Sequence, residues 1–159
     1  MIRVRDAAKG DAAGLVELHA GVHELHAGQR PDVFVGEPDQ ARVEAFFHGL
    51  VDEPAVHVLV AEAASDGSVV GYAVARVVER EAGLHVHRSA AMKLEHLAVD
   101  PVASRGGVGS ALLEAVRERG RAAGCRRLHV NVWSFNTSAR SFYEARGLVP
   151  MKQQLEQDI

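Results

Sequence analysis

The sequence predicts a mixed α/β fold in one domain, and three observations predict it. Segments alternating apolar and polar residues are interleaved with longer segments of helical period, as expected when strands and helices mix along one chain. No internal repeat or low-complexity linker divides the chain. With 159 residues, 47% of them hydrophobic, there is material for one sizeable core and no room for a second domain of normal size, so residues 1–159 are read as one domain.

The elements follow in order. Ile2 to Arg5 alternates as a strand, and Ala8 to Ala27 has the helical period with Leu15, Leu18, Val22 and Leu25 on one face. A second helix is predicted near Asp39 to Val51, after an irregular loop from Gln29 to Asp39. Strands at Val56 to Ala63 and Val69 to Glu79 are joined by the turn Ser65, Asp66, Gly67. A loop from Glu79 to Ala91 leads to a strand at Met92 to Val99, which Asp100 and Pro101 stop because proline cannot donate to a ladder. Then come a helix from Val108 to Ala123, a strand from Arg127 to Trp133, a helix from Thr137 to Arg146 and a last strand from Leu148 to Leu155.

Composition excludes several classes. A net charge of −3 argues against nucleic acid as the main partner, and Arg117, Arg119, Arg121, Arg126 and Arg127 read as a solvated helix face and strand start. The single cysteine, Cys125, allows no intrachain disulfide and follows Gly124 at a strand start, which suggests packing. The N-terminus has no long apolar segment, so neither a membrane partner nor a leader is expected, and a cytoplasmic protein is.

The chemistry concentrates between Leu94 and Leu113. A strand leads through Ser104, Arg105, Gly106, Gly107, Val108, Gly109 and Ser110 into a helix on which Val108, Leu112, Leu113 and Val116 recur at helical spacing. The first amides of a helix have no partner within it, and glycines let a phosphate come close to them, with Arg105 able to add a charge. A dinucleotide fingerprint fails because Leu112 stands where a third glycine is needed, and a P-loop fails because Gly109 is followed by Ser110 and Ala111. A purely structural tight turn stays open on these residues alone.

A second cluster, Leu128 to Gln157, contains an alternating strand, a polar corner and a short helix bearing Phe142 and Tyr143, stopped by Gly147. Here the chain resembles the GNAT superfamily of acyl-CoA-dependent N-acetyltransferases. Val99, Pro101, Gly107, Val108 and Gly109 are similar to the family's strand, proline and glycine-loop motif, and Asn136, Ala139, Phe142 and Tyr143 to its later one. The opening segment, Ile2 to Leu18, resembles the family's first strand and helix more loosely. The loop departs from the family pattern at Ser104, where glutamine or arginine is usual, and at Ala103, where an aromatic residue is common.

The resemblance implies a twisted, mostly antiparallel sheet flanked by helices and an enzyme that uses acetyl-CoA as cosubstrate. It implies that Leu97, Ala98 and Val99 offer backbone amides to the thioester carbonyl, that residues Ser104 to Ser110 bind the pyrophosphate, and that Asn136, Ala139, Phe142 and Tyr143 lie along the cofactor. Asn136 is equally suited to cap the following helix. Glu95 is the candidate base: a lysine-like amine is neutral only about once in two thousand molecules at pH 7. Strand alternation puts Glu95 on the face of Leu97 and Val99 and His96 on the other. Tyr143 is the candidate hydrogen-bond donor to the leaving thiolate.

His19 and His23, with His26 a turn further on, have ligand-like spacing, but no cysteine or carboxylate cluster completes a zinc site, and no metal is expected. The segment from His23 to Phe34 resembles a stretch of some bacterial members, which makes His26, Asp32 and Phe34 candidates to touch a small-molecule or peptide amine acceptor. Homodimers are frequent in the family. A non-catalytic acyl-CoA-binding or regulatory domain is the alternative, for which Ser104 is the best hint.

Overall fold

A computed structural model describes residues 1–159. Its order is β1 (Ile2–Asp6), α1 (Ala12–Gln29), α2 (Gln40–Asp52), β2 (Val56–Ala63), β3 (Val69–Arg80), β4 (Ser89–Val99), α3 (Val108–Ala122), β5 (Leu128–Val130) and α4 (Thr137–Glu144). The strands form one sheet in chain order. β1 to β4 pair antiparallel and β5 runs parallel to β4, because α3 carries the chain back across the sheet.

Both faces of the sheet are covered, and β2 reads accordingly. Val56, Val58 and Val60 enter one core with Leu15, Phe47, Leu50 and Tyr72 under α1 and α2. Leu59 and Ala61 enter the other with Met92, Leu94, Leu112, Leu113 and Val116 under α3, where Tyr143 of α4 also packs. α2 begins at the Asp39 carboxylate, which accepts from the Arg42 N–H at 3.0 Å.

Four local expectations change. The predicted Leu148 to Leu155 strand does not form: residues 148–159 carry no secondary structure, and Val149, Met151 and Leu155 are exposed. Pro150 has no N–H to give a ladder, and the apolar residues around it do not alternate. β5 covers three residues rather than the whole of Arg127 to Trp133. α1 starts four residues later than Ala8, after a 3-10 turn over Lys9–Asp11, and Leu25 is exposed because the core contacts of α1 come from Ala12 to Val22.

The fourth change moves a candidate catalytic residue. Val74 pairs with His96 and Ala75 with Leu94, so Glu95 is the extra residue of a β-bulge. A bulge shifts alternation by one. Leu97 and Val99 therefore pack toward α3 with Leu94, whereas His96 faces α1 and α2, stacked with His19 and close to Phe47. Glu95 reaches Arg76, whose other carboxylate partner, Glu53, caps the end of α2. Glu95 thus shares the side of His96, not that of Leu97 and Val99.

Leu112 lies at 0% exposure beneath the sheet, and its truncation to alanine is expected to lower the unfolding free energy by about 2–5 kcal/mol in urea denaturation. Leu84→Ala, at a side chain 91% exposed, should change it by no more than about 0.5 kcal/mol.

Candidate active site

The site lies where the sheet opens. β4 and β5 pair only from Met92 to Leu94 against Leu128 to Val130, and beyond these residues the two segments part. Asp100 N–H donates to Val70 O at 2.8 Å, on the β3 side of the strand. Alternation back from Asp100 sends the Ala98 N–H toward β3 and those of Leu97 and Val99 into the gap. Two of the three expected amides are thus available to a carbonyl oxygen, and that of Ala98 is not.

At the end of β4 the Asp100 carboxylate accepts from Val102 N–H at 2.9 Å and fixes a short 3-10 turn over Pro101–Ala103. Arg105 (φ 71°) and Gly107 (φ 81°) follow in left-handed conformations. Such residues turn successive N–H groups toward one concavity, and holding a non-glycine there costs roughly 1–2 kcal/mol. α3 makes its first bond from Ala111 N–H to Gly107 O, so the amides of Gly107, Val108, Gly109 and Ser110 have no acceptor in the chain. Gly109 is also a packing requirement, since a Cβ there would lie 3.0 Å from the Phe142 ring.

Arg146 completes this helix end. Its Nε and Nη2 donate to Ser110 Oγ at 2.9 and 2.7 Å, and its Nη1 donates to Phe142 O at 2.9 Å. The guanidinium carbon sits 3.8 Å from the centroid of the Phe142 ring. With its oxygen accepting from Arg146, the Ser110 hydroxyl has its own proton free for an anion. Sequence reasoning missed Arg146, which lies 36 positions from Ser110 and outside the loop motif.

The gap leads into a cavity of about 320 Å³. Tyr143, Ala139 and Asn136 line it from α4 and its cap, Glu95, His96 and Leu97 from β4, and His19, His23 and His26 from α1. Asn136 Oδ1 accepts from Ala139 N–H at 3.1 Å, so it caps α4 while its NH₂ group remains free to donate. Phe142 packs beneath Tyr143, with ring centroids 5.1 Å apart, and on Gly109 rather than in the cavity. Of the acceptor candidates, His26 and Phe34 line the cavity; Asp32 does not, because its carboxylate is turned to Arg30 at 2.7 Å.

Burial sets the acid–base character of the cavity. It pushes the Tyr143 hydroxyl up to about 12, so the group stays protonated across the ordinary pH range and acts as a hydrogen-bond donor. Arg76 Nε approaches Glu95 Oε1 at 3.0 Å, an ion pair in which the N–H is not aimed at the oxygen, leaving Nε without a hydrogen bond. Tyr72, which drew no attention as one residue of an apolar strand, holds two histidines. Its hydroxyl lies 3.2 Å from His19 Nδ1 and 3.4 Å from His96 Nδ1, and one proton means that it donates to one ring and accepts from the other. The imidazoles stack with centroids 5.4 Å apart. Burial, reinforced by the neighbouring His96, brings His19 down to about 4, and burial also lowers His96. Both rings are neutral at pH 7. No group of three or more metal-ligating side chains is positioned to hold an ion.

The model of the acetyltransferase (GNAT) family matches residues 20–148. The chain belongs to this family. GNAT proteins take their acyl group from acetyl-CoA. No curated protein matches the sequence. Among solved structures, a tetramutant of the BH1408 protein from Bacillus halodurans is 26% identical over 99% of both chains, with a TM-score of 0.90. Aminoglycoside N-acetyltransferase AAC(6')-Iy in complex with CoA is 20% identical over 100% of this chain and 95% of that one, at 0.73. Glucosamine-6-phosphate N-acetyltransferase from Arabidopsis thaliana is 15% identical over 99% and 98%, at 0.71. These likenesses place this GNAT chain in the same fold, and none of its helices is long and apolar enough to cross a membrane.

The neutral histidines of this GNAT domain are expected to make its stability fall in acid. His19 binds its proton more weakly folded, near 4, than unfolded, near 6.5, so the unfolded state takes up more protons between these values. Stability present above about 6.5 is expected to fall as pH drops toward 4, and His19→Gln should flatten that part of a melting-temperature profile.

Proposed function

We propose that this chain is an N-acetyltransferase that moves an acetyl group from acetyl-CoA to a primary amine by direct attack. The observation that carries this reading is the continuity of one path: the free amides of α3, the gap between β4 and β5, and a cavity shared by Glu95 and Tyr143.

The amides of Gly107 to Ser110, with the Ser110 hydroxyl and Arg146, suit a pyrophosphate at the start of α3. The pantetheine arm then fits the gap, where Asn136 has an NH₂ to offer. Leu97 and Val99 N–H groups polarise the thioester carbonyl and stabilise the developing oxyanion. Glu95, directly or through a water, accepts the proton that the amine must lose. The amine nitrogen forms the C–N bond, the C–S bond breaks, and the thiolate leaves toward Tyr143. A phenol held near 12 does not hand its proton readily to a thiolate whose conjugate acid has pKa about 8.5, so Tyr143 lowers the barrier as a hydrogen-bond donor. Cys125 is buried away from the cavity and has no part as a nucleophile.

The alternative, a non-catalytic acyl-CoA-binding domain, draws on the missing side chain at Ser104. Arg146 supplies a cation at the same helix end, and Glu95 and Tyr143 give the cavity groups that mere binding would not require.

Tyr143→Phe is expected to lower kcat by about 10–100-fold with little change in acetyl-CoA affinity, read by thiol release and by titration. Unchanged turnover removes Tyr143 from the leaving-group step. Glu95→Gln should lower the rate most near pH 7 and recover as pH rises toward the amine's own pKa, about 10.4 for an alkylamine. A pH profile identical to that of the wild type removes Glu95 as the base.

A further inference from the structure

One side of the cavity is an aromatic wall. Phe34 stands at its centre, with ring centroids 5.3 Å from His26, 6.2 Å from His23 and 5.5 Å from Trp133, all in edge-to-face geometry. Trp133 is stacked on Phe135 at 5.7 Å, and Phe135 closes the circuit with His26 at 5.5 Å. His26 Nδ1 donates to Val22 O, and His23 Nε2 bonds Val35 O, so both imidazoles are fixed by backbone rather than by charge. A rigid wall of this kind binds apolar planar surface with little ordering cost.

The charges of the cavity narrow the ligand further. Glu95 is the sole carboxylate among the lining residues, and it is already paired with Arg76. An acceptor with several ammonium groups would have a single carboxylate for all of them, and that one is shared with Arg76. No lysine or arginine lines the cavity, and Arg30, whose guanidinium carbon lies over the Trp133 ring at 5.2 Å, is taken up by Asp32 and Glu156. A phosphate or carboxylate on the acceptor would find no cation. The volume, about 320 Å³, lies at the small end for ligand cavities and must also admit the acetyl thioester.

We propose that the acceptor is a small primary amine of single positive charge carried on a planar aromatic body, an arylalkylamine, whose ring packs against Phe34 and Trp133. This rests on the acetyl-transfer reading for its chemistry and differs in charge class from an aminoglycoside or an amino-sugar phosphate.

Trp133 is the one tryptophan of the chain, which gives a binding signal independent of turnover. The protein, saturated with free CoA, is titrated with phenethylamine, n-butylamine, spermidine, tobramycin and glucosamine 6-phosphate while tryptophan emission is followed. Thiol release from acetyl-CoA is then measured with the same amines. Phenethylamine is expected to give saturable quenching with a half-point about tenfold below that of any other amine, and the highest kcat/KM. Phe34→Ala should raise its KM by about tenfold with kcat little changed, and Phe34→Tyr should restore it. Equal or better use of n-butylamine, spermidine, tobramycin or glucosamine 6-phosphate overturns the arylalkylamine assignment and leaves acetyl transfer standing. Absence of quenching by phenethylamine also overturns it. Saturable quenching with no thiol release from any amine upholds the aromatic site and instead sinks the transfer reaction.

Discussion

The parting of β4 from β5 is the constraint on which the rest of the structure depends. Three paired residues on each strand hold the two together, and then the parallel ladder stops partway along β4. Interior strands normally satisfy their N–H groups on both sides; here Leu97 and Val99 satisfy neither of theirs against β5. Such a break is stable only because both ends are anchored elsewhere. On one side β4 keeps its full antiparallel pairing to β3 as far as Val99, and on the other α4 is capped by Asn136 and buried through Tyr143. The opening is therefore a fixed feature of the backbone, and Glu95, Asn136 and Tyr143 line the cavity it leads into.

The bulge at Glu95 belongs to the same arrangement. By adding one residue to β4 it turns both Glu95 and His96 toward α1 and α2, while Leu97 and Val99 continue the core beneath α3. One strand thus offers its amides to the gap and its polar side chains to the cavity beside it. The Tyr72 hydroxyl, shared between His19 and His96, satisfies a polar cluster that would otherwise be costly inside the sheet–helix interface. At the far end, Arg146 and Ser110 tie α4 to α3, so the two helices that flank the gap are fixed to one another.

Much of this is legible in the amino-acid order, and the exceptions share a physical cause. Helices and strands with a repeating apolar face, such as α3 with Val108, Leu112, Leu113 and Val116, declare themselves because the period is long and the burial one-sided. The glycine loop and the Asn136 to Tyr143 motif are local, so the helix starts they mark, at Val108 and at Thr137, are readable from the sequence. The facing of Glu95 was not legible, since a bulge is set by the partner strand rather than by the residues of β4. The terminal strand does not form although Leu148, Val149 and Met151 are apolar, because Pro150 interrupts them and they do not alternate. Tyr72, Arg146 and the Phe34–Trp133 wall unite residues far apart in the chain, although His19 did carry a signal, lying one turn from Leu15 and Val22 on the inner side of α1.

The account turns on whether the free amides of α3 and the gap beside β4 form an acyl-CoA site. Calorimetric titration of the purified protein with acetyl-CoA tests this most directly, with NAD and ATP as controls. The structure leads us to expect one saturable site of micromolar affinity for acetyl-CoA and no comparable heat from either nucleotide. Absence of acetyl-CoA binding, or equal binding of ATP, would contradict the account.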